Sequence, residues 1–287
     1  MPSYGGQALI EGVLMRGKKW VSAAMRDPDG KIVIHTEQLE SIYQSKWTKL
    51  PFLRGIIGLW DALGLGTRFL TLSANVQSPD EKIEGASLFT SMGVAFLAAA
   101  LIFFAAPAWL GHLAETFLGF SPFASNLLEG LIRLLAIIGY IWAVSKMPEI
   151  ARVFAYHGAE HKTINAYEDG AELKPETVIK YSIEHPRCGT AFLLTLIIFS
   201  VILFAAIGPL PAEWRIASRI LLLPFLAGIA YEYIRFTANY IDNPLVKLLV
   251  KPNLALQHLT TRQPDLAMVE VAITAFVTMK EKEELAN

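Results

Sequence analysis

Four stretches of this chain stay apolar for about the 20 residues that a helix needs to cross a bilayer. Leu88 to Ala106 and Gly189 to Ala212 contain no charged residue. Leu127 to Val144 carries Glu129 and Arg133 near its start, and Ile216 to Phe236 carries Arg219, Glu232 and Arg235. An ionisable side chain at the bilayer centre costs about 3 kcal/mol on insertion scales, so these groups should sit near span ends or face protein. The pattern predicts an α-helical multipass membrane protein with about four transmembrane helices.

Outside the spans the periodicity changes. Met1 to Gln44 reads as β-rich, with a turn at Asp27-Pro28-Asp29-Gly30 and Ile32 and Ile34 alternating with Lys31, Val33 and His35. His35 falls opposite the two isoleucines, as a solvated strand histidine would. Gly5-Gly6-Gln7 and Glu11-Gly12 to Met15-Arg16-Gly17 suit tight turns and close backbone approach, but they lack the G-x-G-x-x-G dinucleotide fingerprint. Pro51 to Val76 is apolar yet places Arg54, Asp61, Arg68 and Asn75 at seven-residue intervals. Such a stripe drifts only about 20° per heptad, which predicts an amphipathic helix on the inner membrane surface. A core helix with a polar seam fits the same pattern. Behind Pro264-Asp265, Leu266, Val269, Ile273, Phe276 and Val277 predict a C-terminal helix packed on the water-facing body, ending in a solvated charged run at Lys280 to Glu284. The expected divisions are a β-containing segment at 1–50, the amphipathic helix and a linker at 51–87, and two spans at 88–147. A histidine-containing loop and helix follow at 148–188, two more spans at 189–236, and C-terminal helices at 237–287.

Composition supports this division. The chain is 53% hydrophobic and 18% charged, against roughly 25% charged in an ordinary soluble domain, and its mean hydropathy is +0.41. Four spans use only about 80 of its 287 residues, so much of it faces water. A net charge of −1 offers no general attraction to nucleic acid. Twenty of the twenty-five Lys and Arg lie in 1–87, 148–188 and 237–287. By the positive-inside rule those three regions, and both termini, belong in the cytoplasm. The single cysteine, Cys188, permits no intramolecular disulfide, and Met1 to Trp20 lacks the features of a cleavable signal peptide, so internal spans are expected to direct insertion.

The chemistry-bearing segment is Ala151 to Glu168. His157 and His161 stand four residues apart, on one helical face, able to bind one metal ion. Glu160 flanks them and Glu168 returns to that face two turns later. Neutral imidazole with carboxylate suits zinc, iron or manganese. His157 to His161 also fits H-x-x-E-H, a pattern of two ligands and a general base. Histidines hydrogen-bonded in a polar core would give the same string. His185-Pro186-Arg187-Cys188 precedes the third span and Glu232 lies near the end of the fourth, both on the expected cytoplasmic side. Glu232 has a competing role as an ion pair with Arg235. Cys188 is a candidate ligand, nucleophile or packing residue. His258 and Glu11 are further candidates, His258 more as a supporting residue than a ligand, and His112 falls on the opposite side.

These residues resemble a known family. Gly5-Gly6-Gln7 with Glu11 to Gly17, Tyr156 to Lys162, His185 to Thr190, and Leu256-Gln257 with Thr260-Thr261, Pro264-Asp265 and Glu270-Val271-Ala272 are similar to the motifs of YqhQ-like bacterial membrane proteins. Leu14, where that family often has Met, is a mild departure. The resemblance spans nearly the whole chain and implies a bacterial plasma-membrane protein, of a family of unknown function described as predicted metal-dependent enzymes. The expected activity is a metal-dependent hydrolase at the cytoplasmic membrane face, acting on a membrane-proximal peptide or lipid. Zinc is the favoured ion. His157 and His161 would bind it with His185 or Glu232, and Glu160 would be the general base. The alternative is a non-enzymatic scaffold or assembly factor with a structural metal site or a polar His/Glu cluster. A transporter is a weaker third reading, suggested by Pro224 and Gly228 in the fourth span.

Overall fold

A computed structural model describes residues 4–39, 50–80, 85–208 and 210–285. The chain begins with a four-stranded antiparallel meander, β1 (Gly5–Leu9), β2 (Gly12–Arg16), β3 (Trp20–Arg26) and β4 (Ile32–Gln38), in the order β1-β2-β3-β4. The expected turn joins β3 to β4, with Gly30 at φ 83° and the Lys31 N–H donating to Asp27 Oδ1 at 2.8 Å. The glycine-punctuated stretch forms two paired strands of this β segment, joined at Glu11 with φ 51°, and its glycines allow close backbone approach: a Cβ at Gly6 would stand 2.5 Å from the Leu14 carbonyl oxygen.

Helices cover both faces of the sheet. On one side α1 (Leu53–Gln77) sets Phe69, Leu65 and Leu72 against Leu9, Leu14, Val21, Ala23 and Met25. On the other, α5 (Pro148–Glu168), α6 (Pro175–Val178) and α11 (Leu266–Leu285) bury Tyr156, Ile164, Val269 and Phe276 against Val13, Met15 and Ala24. Alternation along the strands explains this: Val13 and Met15 point one way, Leu14 the other. His35 lies on the α1 face, edge-on to Phe69, half-exposed as expected. The charged run of α11 is not all solvated, because Glu283 is buried and accepts N–H bonds from Lys19 and Trp20 at 2.5 and 2.8 Å.

Among the described residues, three segments are long and apolar enough to cross a membrane: 88–118, 122–144 and 189–207. The first comprises α2 (Gly85–Ala100), a π-helical segment (Leu101–Ala105) and α3 (Ala106–Leu118). Its α2 part leaves Phe89 and Phe96 largely exposed, while α3 buries Pro107, Ala108, Gly111 and Ala114. The second and third are α4 (Pro122–Val144) and α7 (Gly189–Ile207). The expected fourth span breaks at Leu222, ahead of Pro224, into α8 (Ala212–Leu221) and α9 (Leu223–Asn239). α10 (Pro244–Thr260) then leads back to α11.

The charges of α4, and Arg219 of α8, face protein, as the energetics require. Glu129 accepts from Arg133 at 2.8 Å and from Arg219 at 2.9 and 3.0 Å, and all three are nearly inaccessible. Arg133 Nε also donates at 2.9 Å to the Phe103 carbonyl, whose helical i+4 partner would be Pro107, which has no N–H. On α1, Arg54 and Arg68 are bound by Glu232 and Glu37, which favours a protein-facing seam for that stripe. The Asp61 side chain lies outside the described residues. The first half of α1 still leaves Phe52, Ile56 and Trp60 exposed.

Candidate functional site

Three segments converge where the sheet-bearing body meets the apolar helices. α5 carries His157, Glu160 and His161, the loop before α7 carries His185 to Cys188, and the end of α10 supplies Gln257 and Thr260. The α5 residue Gly158 explains how these pieces come so close. A Cβ there would stand 2.1 Å from the Arg262 carbonyl oxygen, so the chain leaving α10 can cross α5 only over a glycine. The Arg262 N–H fixes the crossing by donating to the Phe154 carbonyl at 2.9 Å.

His157, His161 and Cys188 form a cluster in which one donor atom of each lies within 4.8 Å of the others. His157 Nδ1 sits 2.9 Å from the Thr260 carbonyl and His161 Nδ1 2.6 Å from the Ile183 carbonyl. A carbonyl only accepts, so both Nδ1 atoms carry the proton and both Nε2 atoms present a lone pair. His157 Nε2 faces Cys188 Sγ at 3.3 Å. Ligand atoms on a tetrahedral zinc are about 3.4–3.6 Å apart at ordinary bond lengths, which the His157–Cys188 pair matches, and His161 lies within reach of the same ion. Cys188 is also the N-cap of α7, and its sulfur lies 3.5 Å from the Thr190 N–H.

Glu160 is buried beside the cluster. The Gly6 N–H donates to its carboxylate, and Gly6 itself packs so closely that a Cβ would meet Glu160 Cγ at 2.9 Å. Burial pushes the Glu160 carboxyl up to about 7, against the opposing pulls of His157 and the Gly6 N–H.

The remaining candidates support this arrangement or lie elsewhere. His185 stacks near His161, with ring centroids 5.7 Å apart, but both its nitrogens are engaged. Nδ1 accepts the Arg187 N–H at 3.3 Å and Nε2 faces Glu168 at 3.5 Å, so no lone pair is offered to the cluster. Burial holds its pKa below the ordinary value despite Glu168. Glu168 also binds the Arg187 guanidinium and so steadies the loop that carries Cys188. Its carboxyl is held low by His185 and Arg187 despite partial burial, which pulls the other way. Glu232 is bound by Arg54 and the Phe52 N–H rather than by Arg235, and it is not in the donor cluster. His258 reaches Glu184 at 2.6 Å and Glu11 joins Arg152 and Tyr156. These two brace the loop and the sheet. His112 pairs loosely with Glu115 at 3.9 Å, far along the chain from the cluster.

Sequence reasoning underrated Cys188 and missed Gln257, whose side-chain amide clasps both backbone groups of His185, at 3.0 and 2.9 Å. The available signal was Gln257 within the Leu256-Gln257…Thr260-Thr261 string, a buried amide ahead of a helix end.

Residues 50–282 match the model of a family described as protein of unknown function (DUF1385). The chain is also 35% identical, over a 307-residue alignment covering 100% of it and 95% of the relative, to the uncharacterized protein YqhQ of Bacillus subtilis (strain 168). No solved structure matches it.

Proposed function

The chain belongs to the DUF1385 family that includes YqhQ, and we propose that it is a membrane-anchored, metal-dependent hydrolase working at the cytoplasmic membrane face. One observation carries this reading: two imidazoles, each with Nδ1 held by a backbone carbonyl, gather with a helix-capping cysteine that also lines an open cavity, and His157 Nε2 faces its sulfur. Three protein donors with access beyond them suit a catalytic ion better than a closed structural one. A thiolate in the set favours zinc over manganese or iron. The ion would supply Lewis acidity and lower the pKa of water to about 7. Glu160, one helical step from His157, would take the proton of the attacking water on its carboxylate and return it to the leaving group. Gln257, Glu168 and His258 would hold the Cys188 loop in register.

Parity of crossings supports four membrane passages. The sheet, α5 and α11 form one packed body, so the chain must cross an even number of times between any two of its parts. The 88–118 and 122–144 segments make one pair. α7 leaves the body alone, so α8 and α9 together would be its return, bent at Leu222. Lysine and arginine placement puts that body in the cytoplasm of a bacterial plasma-membrane protein.

The test is metal content. Full-length protein purified in detergent with zinc supplied should retain about one ion per chain by mass spectrometry, and His157→Ala should lose it. A folded wild-type protein that retains no divalent ion would overturn the reading. A structural site in a scaffold is the second reading, favoured by the near-complete burial of His161 and Cys188. Glu160→Gln separates the two. An enzyme keeps its zinc and loses turnover of membrane extracts, whereas a scaffold keeps its zinc and its assembly role.

A further inference from the structure

Beside the donor cluster lies a cavity of about 560 Å³, bounded by β1, β2, α1, α9 and the start of α7. Arg16, Arg187 and Arg235 line it with the amide side chains of Gln7 and Asn239, and no carboxylate is among its described lining residues. Three like charges round a concave wall focus a positive potential inside it. Arg187 gives one nitrogen to Glu168, but its Nε is buried without a hydrogen-bond partner. Leaving such a donor unmade is costly, and an acceptor entering the cavity would remove the cost.

The first turn of α7 adds to the pull on an anion. Cys188, Gly189 and Phe192 belong to the lining, so the positive end of a 19-residue helix dipole borders the cavity. Leu59, Phe192 and Ile234 make the remaining wall apolar, where α7 begins its run through the proposed membrane. Guanidinium forks match phosphate oxygens better than they match a single-point anion. The mixed wall fits an acidic group joined to an apolar body.

We propose that this cavity binds a phosphate ester, carried either on a lipid headgroup or on a soluble molecule. The proposal deepens the hydrolase reading and rests on it only for the fate of the ester. Cys188 is shared by the cavity and the donor cluster, so a phosphate held there would lie next to the ion.

The test uses full-length protein in phosphatidylcholine nanodiscs, with and without a minor fraction of phosphatidic acid, and separately with glycerol 3-phosphate. Binding is read by native mass spectrometry and zinc by elemental analysis on the same samples. Arg235→Gln, on the exposed side of α9, and Arg16→Gln should each weaken phosphate binding about tenfold, the loss expected for one charge-assisted contact. Lys174→Gln, at an exposed pair with Glu172, should leave it unchanged. Selective retention of phosphatidic acid identifies a lipid carrier, and equal uptake of glycerol 3-phosphate identifies a soluble one. Absence of binding to either probe, or binding that folded Arg235→Gln and Arg16→Gln proteins keep in full, overturns the proposal. Zinc without phosphate binding removes this inference alone, and phosphate binding without zinc removes the hydrolase reading alone.

Discussion

Gly158→Ala is a sharp test of how the donor cluster is assembled, because it adds one methyl group at the tightest point. The new Cβ would lie 2.1 Å from the Arg262 carbonyl oxygen, where about 3.3 Å is the closest comfortable approach. The crossing strand must therefore retreat by about 1.2 Å. Two contacts depend on its position: the Arg262 N–H bond to Phe154 and the Thr260 carbonyl that fixes His157 Nδ1, both at 2.9 Å. Overpacking of this kind costs about 1–3 kcal/mol, and weakening the two bonds adds about 1 kcal/mol. The better helix propensity of alanine returns about 1 kcal/mol. The net expectation is a loss of about 2 kcal/mol, a Tm lower by roughly 4–8 °C. Because the His157 imidazole loses its fixed orientation, zinc affinity should fall about 10–100-fold. Thermal unfolding in detergent and chelator competition measure the two effects. Gly139→Ala on α4, where a Cβ meets nothing within 4 Å, is the control and should be neutral or slightly stabilising. A Gly158→Ala protein with wild-type Tm and zinc affinity would refute the crossing argument.

Three further outcomes are expected. Glu129→Gln strands two buried guanidiniums and should cost about 3–5 kcal/mol in detergent unfolding, with Arg219→Met recovering part of the loss in the double variant; strict additivity would count against the network. Glu11 is held below the ordinary carboxylate range chiefly by its hydrogen bond to Arg152, so its contribution is complete above the unfolded value near 4.5 and is lost as pH falls through the lower folded value. Glu11→Gln should therefore cost about 1 kcal/mol at pH 7 and nothing once wild type is also protonated, and a gap that persists unchanged at the lowest pH that keeps the protein folded would be the wrong result. Cys188, which lines the cavity, should be alkylated by iodoacetamide in chelator-treated protein and protected when zinc is restored, so identical labelling in the two states argues against ligation.

Much of the architecture was legible because its causes are local. Apolar runs gave α4 and α7, the second free of charges, the Asp27 to Gly30 turn gave the β3–β4 hairpin, and the spacing of Val269 and Phe276 gave the buried face of α11. Charge expense in hydrocarbon correctly foretold that Glu129 and Arg133 turn inward, although it could not name Arg219 as their partner across 90 residues. What escaped was pairing between distant segments. Glu232 looked like a partner for Arg235 or a ligand, yet Arg54 of α1 takes it, because α1 packs along α9 at Gly55 and Tyr231. His185 looked equivalent to His161, and only the Arg187 N–H and Glu168 distinguish them by occupying both ring nitrogens. Cys188 was undervalued because a lone cysteine usually packs, and nothing in its neighbours reveals that it faces His157.

The origins of the three donors have a consequence for when the site exists. His157 and His161 stand on α5, inside the body built on the β-sheet, whereas Cys188 caps an apolar helix proposed to cross the membrane. Their orientations are fixed by Thr260 and Ile183, and Gln257 on α10, the helix that follows α8 and α9, fixes the His185 loop. The donors and their supports therefore span residues 157–260, across the apolar helices, and no single element holds them. Zinc affinity should depend on correct packing of the apolar helices against the sheet-bearing body, and the ion should in turn stabilise that packing by binding only the assembled form. An isolated 148–188 peptide already contains all three donors and the Ile183 carbonyl, yet it lacks Thr260, Gln257 and the helix α7 that Cys188 caps. Weak zinc binding by that peptide beside tight binding by the full chain would place the affinity in the junction between membrane and body. Equal affinity would place it in the donor residues alone.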